Sequence, residues 1–116
     1  MTAGDIVLVR FPFTELTSIK VRPALVISSD LQLSSSADAV FLMITSSTAV
    51  VRPIDYLLAD SHPEFPTTGL KRASVFRTDK IHCLRRDLAE RRLGVIGPMV
   101  RREIGQRLRS VLAFYG

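Results

Sequence analysis

The sequence predicts a mainly β fold, a small, curled, mostly antiparallel barrel with one C-terminal α-helix. Short apolar runs of strand length recur along the chain, at Asp5–Phe11, Ala24–Ser28, Val40–Thr45 and Ala73–Leu84, with turn residues between them. Only one stretch has a helical period: Val100, Ile104, Leu108, Val111, Leu112 and Tyr115 recur at three- and four-residue steps. A chain of 116 residues with 47% hydrophobic content is one domain, residues 1–116, long enough to bury a core without staples.

Taken in order, Asp5–Phe11 opens behind Gly4, and its near-continuous apolar character implies burial on both faces. Pro12 stops it. Phe13 to Val21 has no apolar period and reads as an exposed loop. Pro23 suits the start of the second strand, where no ladder donor is needed. Asp30 to Asp38, with Ser34-Ser35-Ser36, reads as a loop, and the third strand runs directly into the hydroxyl cluster Ser46-Ser47-Thr48. Such a cluster is ordinarily a turn and can also supply donors to a ligand. Ala49 to Leu58 reads as a further strand interrupted by Pro53, and His62 to Gly69 as a loop with His62 towards solvent. After the charged turn Arg85-Arg86-Asp87, a last strand is expected to end at Leu93–Ile96, and Pro98 is well placed at the first position of the helix.

The stretch Ala73–Leu84 carries the chemistry. In a regular strand Val75, Arg77, Asp79 and Ile81 share one face, which sets a cation beside a carboxylate among apolar neighbours. Such a pair either ties parts of the fold together or acts on a phosphate. His82 falls on the opposite face. Cys83, the single cysteine, excludes an intramolecular disulfide and a cysteine metal cluster, and reads as a small core residue.

Net charge is +5 with a sequence pI of about 10.1 and a mean hydropathy of +0.22. The charge is polarised: from Lys71 onward there are twelve Lys/Arg against four Asp/Glu, and before it four against seven. A basic half suggests a polyanionic partner, nucleic acid first and an acidic protein second. No apolar run approaches a membrane span and the N-terminus lacks the order of a signal peptide, so the expected location is cytoplasmic.

Four blocks together resemble the MazF/PemK/Kid toxins of toxin–antitoxin pairs: Gly4-Asp5-Ile6-Val7, Val21-Arg22-Pro23-Ala24-Leu25-Val26-Ile27, Ile44-Thr45-Ser46 and Val75-Phe76-Arg77-Thr78-Asp79. Their order and spacing span nearly the whole chain. The resemblance implies an SH3-like barrel, a homodimer, and a sequence-specific endoribonuclease that cuts single-stranded RNA without metal or other cofactor. It also implies a cognate antitoxin whose acidic, flexible tail wraps the toxin.

RNA brings its own nucleophile, the 2′-OH beside the scissile phosphate. A protein must supply a base for that proton, an acid for the leaving 5′-oxygen, and cations for the charge on phosphorus. The resemblance assigns Asp79 as the base and Arg77 as the acid or phosphate clamp. The clamp suits a guanidinium that holds its proton tightly. Arg22 and Thr45 match the positions that serve the same site in MazF-like members. The products would be a 2′,3′-cyclic phosphate and a 5′-hydroxyl. Ser46, Ser47, Glu15, Lys20, Lys80 and His82 are the candidate RNA contacts, although His82 also fits a purely structural place. Kid-like members have further basic residues just past the Arg-x-Asp, where this chain has Ile81, His82 and Cys83. Two alternatives stand beside the nuclease: a non-catalytic, CcdB-like toxin that docks on gyrase, and a degenerate member that binds RNA or antitoxin without cleavage.

Overall fold

The computed structural model describes residues 1–11 and 19–114. Six strands form one antiparallel sheet: β1 (Asp5–Phe11), β2 (Lys20–Val26), β3 (Asp38–Thr45), β4 (Tyr56–Leu58), β5 (Ser74–Arg85) and β6 (Ala89–Val95). Their order across the sheet is β4-β5-β3-β2-β1-β6, with every neighbouring pair antiparallel. The mainly β architecture with a C-terminal helix is as the sequence predicts. The sheet curls as a barrel does, without a ladder between its two edge strands.

Each face of the sheet has its own core. On one, Ile6, Leu25, Leu42, Ile44 and Phe76 pack under the C-terminal helix α2 (Pro98–Val111) through Val100, Ile104 and Leu108. On the other, Val7, Val9, Phe11, Ala24, Val26 and Phe41 pack with Leu33 of a short helix α1 (Asp30–Ser35). Two-sided burial explains why the strands read as apolar runs rather than alternating patterns.

Several boundaries differ from expectation. The segment Asp30–Ser35 is helical: Ser29 caps it by accepting the Gln32 N–H, and Leu33 buries its apolar side. The serine run conceals that helix because serines equally favour turns. Strand β2 begins at Lys20, so Lys20 and Val21 are strand, while residues 12–18, including Glu15, lie outside the described residues. Pro23 therefore sits inside β2; it is tolerated because the β2–β3 ladder begins only at Ala24. Residues 46–55 form a loop and β4 is only three residues long. A 3₁₀ turn (Phe65–Thr68) interrupts the expected loop before β5, and His62 is half-buried, its Nδ1 accepting the Glu64 N–H. A second 3₁₀ turn, Arg86–Leu88, fills most of the charged turn. Cys83 is exposed rather than in the core.

The 3₁₀ turn leans on β6, at the far edge of the sheet. Gly69 has φ of 72°, and a Cβ there would lie 2.1 Å from the Leu93 carbonyl oxygen; one on Gly94 would lie 2.3 Å from the Thr67 carbonyl oxygen. Glu64 completes the closure by accepting the Val100 and Met99 N–H groups at the start of α2, at 2.9 and 3.1 Å.

Candidate active site

The decisive local feature is a bulge in β5. Leu42 of β3 pairs with Ile81, and the next residue, Met43, pairs with Arg77. Three residues of β5, Thr78, Asp79 and Lys80, therefore have no partner across β3. An odd insertion inverts the alternation beyond it. Phe76 and Ile81 both face the α2 core as a result. Arg77 and His82, opposite Met43 and Phe41, share the other face. This corrects two expectations of a regular strand: Val75, Arg77, Asp79 and Ile81 do not form one continuous row, and His82 is not opposed to Arg77.

Arg77 and Asp79 also take different partners. Arg77 Nη1 donates to Asp55 Oδ2 at 2.5 Å and to the Val50 carbonyl at 3.0 Å. Asp79 accepts two bonds from Arg52, from Nη2 at 2.6 Å and from Nη1 at 3.1 Å. Arg52 in turn donates through Nε (3.0 Å) and Nη2 (2.9 Å) to Asp55, whose carboxylate is fully buried. The order is thus Arg77–Asp55–Arg52–Asp79, four alternating charges in place of one pair. Thr78 secures the bulge by donating its hydroxyl to the Ile54 carbonyl. Arg107 of α2 donates to the Asp55 carbonyl and lies 5.1 Å from the Tyr56 ring centre, tying the helix to the same corner.

Both carboxylates are biased towards the charged form. Burial opposes ionisation of Asp55, but hydrogen bonds from the Arg52 side chain, the Arg52 backbone N–H and Arg77 outweigh it and bring its pKa down to about 2. The bond from Arg52 lowers that of Asp79, against partial desolvation. Burial, followed by the Lys80 charge, lowers His82, whose ring meets Phe11 edge-on at 5.9 Å.

Arg22, Thr45 and Ser46 sit elsewhere, in a cleft of about 300 Å³ where β2 and β3 separate. Leu8, Pro23, Leu70 and Leu93 supply apolar walls, and Lys71, Arg72 and Arg91 add three cations to Arg22. The lining contains no carboxylate among the described residues. Among the described residues, none of these four cations forms an ion pair. Thr45 Oγ1 accepts the Ser47 N–H at 3.1 Å. Thr45 pairs with Val75 and Met43 with Arg77, so Thr45 shares the Arg77 face of the sheet, whereas the cleft walls Ile44, Leu70 and Leu93 belong to the α2 side. Lys80 projects from the bulge, exposed, and Lys20 is exposed at the start of β2.

The four candidate catalytic residues thus divide into a cleft pair, Arg22 and Thr45, and a network pair, Arg77 and Asp79. Sequence reasoning missed Arg52 and Asp55. The signal was there: Arg-Pro-Ile-Asp is a turn with proline second, closed by the Asp55 N–H on the Arg52 carbonyl and by the Arg52 N–H on Asp55 Oδ2. It also missed Lys71, Arg72 and Arg91, which the charge asymmetry flagged only as part of a basic half. Among the described residues no helix is long and apolar enough to cross a membrane, and no group of three His, Cys, Asp or Glu could hold a metal.

Known structures share this fold. The Deinococcus radiodurans MazE–MazF complex (form III) matches with a TM-score of 0.77 at 23% identity, over 99% of this chain and 98% of that one. An endoribonuclease in complex with its cognate antitoxin, from a mycobacterial species, matches at 0.76 and 18% identity, over 100% and 98%. The Mycobacterium tuberculosis toxin MazF-mt6 matches at 0.75 and 13%, over 97% and 99%. Among curated proteins none matches the sequence. The profile of the PemK-like, MazF-like toxins of type II toxin–antitoxin systems matches residues 2–112, and the chain belongs to that family.

Proposed function

We propose that this toxin is a sequence-specific, metal-independent endoribonuclease of single-stranded RNA. The observation that carries the reading is a cleft with no carboxylate among its described lining residues. Arg22, Lys71, Arg72 and Arg91 line it without ion-pair partners among the described residues, next to the hydroxyls of Thr45 and Ser46. Four unneutralised cations around a groove suit successive phosphates of a polyanion, and apolar walls suit its bases. Two of the structural relatives are described as endoribonucleases, one of them bound to an antitoxin.

In this reading Arg22 and Thr45 hold the scissile phosphate, and Ser46 and Ser47 add donors at its rim. Asp79 takes the proton of the 2′-OH. The 2′-oxygen attacks phosphorus, the P–O5′ bond breaks, and the leaving oxygen takes a proton from solvent water to become a 5′-hydroxyl opposite a 2′,3′-cyclic phosphate. Arg77 contributes charge rather than a proton, because a guanidinium stays protonated near neutral pH. A positioned base is worth roughly 10²–10⁴-fold. Lys20, Lys80 and His82 meet flanking nucleotides; Glu15, a candidate for the same role, lies outside the described residues. The protein acts as a cytoplasmic homodimer, held inactive by an antitoxin whose acidic tail competes for the same cations.

The test is incubation of purified protein with a long single-stranded RNA in excess EDTA, beside Asp79→Ala and Arg22→Ala. Discrete cuts ending in cyclic phosphate, lost in both folded variants, support the assignment. Intact RNA that is nevertheless bound points to a degenerate member, and no RNA binding at all points to a gyrase-docking toxin.

A further inference from the structure

We infer that Arg52 is a substrate-binding residue, and that Asp79 occupies its outer fork until an RNA phosphate displaces it; this rests on the endoribonuclease reading above. The guanidinium of Arg52 is used on two sides. Its Nε side is fixed on Asp55, at 3.0 Å from Nε and 2.9 Å from Nη2. Its outer side, Nη1 and Nη2, grips Asp79 at 3.1 and 2.6 Å. The two grips differ in permanence. Asp55 is fully buried and has further bonds from the Arg52 backbone and Arg77, so it does not exchange. Asp79 and Arg52 are each about one third exposed, at 31% and 36% of their side chains. A solvent-facing carboxylate on a pre-anchored guanidinium fork is readily replaced by another two-oxygen anion, and the non-bridging oxygens of a phosphodiester have that geometry.

The arrangement has a mechanistic consequence. A carboxylate held by two bonds from a cation is a poor proton acceptor, and Asp79 in the free protein is so held. When the phosphate takes the fork, the carboxylate is released on the β5 bulge next to the RNA that displaced it, where it serves as the base. Lys80 on the same bulge also faces Asp79, while Asp55 and Arg77 lie behind Arg52. Substrate binding and base activation therefore become one event.

A thermodynamic cycle tests this with an uncleavable 2′-O-methyl RNA, by fluorescence anisotropy, on wild type, Asp79→Asn, Arg52→Gln and the double variant, each checked for folding by thermal melts. Removing the competitor should tighten binding in Asp79→Asn by roughly three- to tenfold, the scale of one hydrogen-bond exchange. Arg52→Gln should weaken it, and in that background Asp79→Asn should bring no gain. Equal gains in both backgrounds would show only loss of a repelling charge and overturn the inference. If Arg52→Gln does not fold, Arg52→Lys, which keeps the charge and lacks the fork, replaces it and should remove most of the gain. In wild-type cleavage, the acidic limb of kcat/KM, set by the free protein, should lie at lower pH than that of kcat, set by the complex. Coincident limbs count against displacement. Absence of RNA binding by wild type would instead refute the nuclease reading.

Discussion

Phe76 and Ile81 stand five residues apart on a single strand and face the same hydrophobic cluster. Regular pleating forbids that, and the three-residue bulge between them permits it. The bulge is what removes Asp79 from the ladder and delivers it to Arg52. The apolar residues on either side fix it in place, because shifting the register by one residue would expose Phe76 or Ile81.

The bulge depends on Thr78, whose buried hydroxyl donates to the Ile54 carbonyl. In Thr78→Val that carbonyl loses its partner with little change of shape. We expect a loss of roughly 1–3 kcal/mol by urea unfolding, and a drop in RNA cleavage larger than the lost stability explains. Wild-type stability in this variant would mean that the apolar flanks alone hold the bulge.

Asp55→Asn removes the charge between two guanidinium groups. Because the folded carboxyl sits near pKa 2 against an ordinary 3.8, its contribution is complete above pH about 4 and disappears as pH falls towards 2. The substitution should therefore cost about 3 kcal/mol at neutral pH, the scale for breaking one side of a buried pair. The stability of the variant should then fall less steeply than that of wild type below pH 4. Parallel acid limbs in denaturant titrations would refute this.

Glu64 accepts two N–H groups at the start of α2, and those bonds lower its carboxyl pKa against the opposing effect of desolvation. A lowered folded pKa means the stabilisation is present above the ordinary carboxylate range and lost below it. Glu64→Ala should lower the melting temperature by a few degrees at pH 7 and by less at pH 3. An equal drop at both would assign the effect to packing instead.

The cleft cations predict a salt signature. RNA binding by wild type should weaken linearly on a log–log plot of affinity against salt. Lys71→Ala, Arg72→Ala and Arg91→Ala should each reduce the slope by about 0.7, one single-strand phosphate contact. A variant that lowers affinity and leaves the slope intact does not touch phosphate.

Much of the scaffold could be read beforehand. Strand β1, the central strand and the C-terminal helix follow from local pattern, and the Arg22, Thr45 and Arg77–Asp79 blocks follow from a family pattern spread across the chain. What stayed hidden is non-local. The partner of Asp79 lies 27 residues upstream and that of Arg77 lies 22 upstream, reached only through a bulge that depends on the register with β3. The α1 helix escaped for a different reason: six residues bearing one buried leucine give no period to detect. Cys83 was assigned inward on residue type alone, and it is exposed near the end of β5.

The lean of the 3₁₀ turn on β6 has a consequence for the protein in a crowded cell. An open sheet exposes two rows of unpaired backbone groups, each a template on which another chain can stack. Here Thr67 donates to the Val95 carbonyl and the Gly69 backbone presses on Leu93, covering the Leu93–Val95 end of one row. The other belongs to β4, only three residues long. Fibre-like growth thus finds one margin shortened by that cover and one too short to nucleate on, so the chain resists edge-to-edge stacking even when no partner protein is bound.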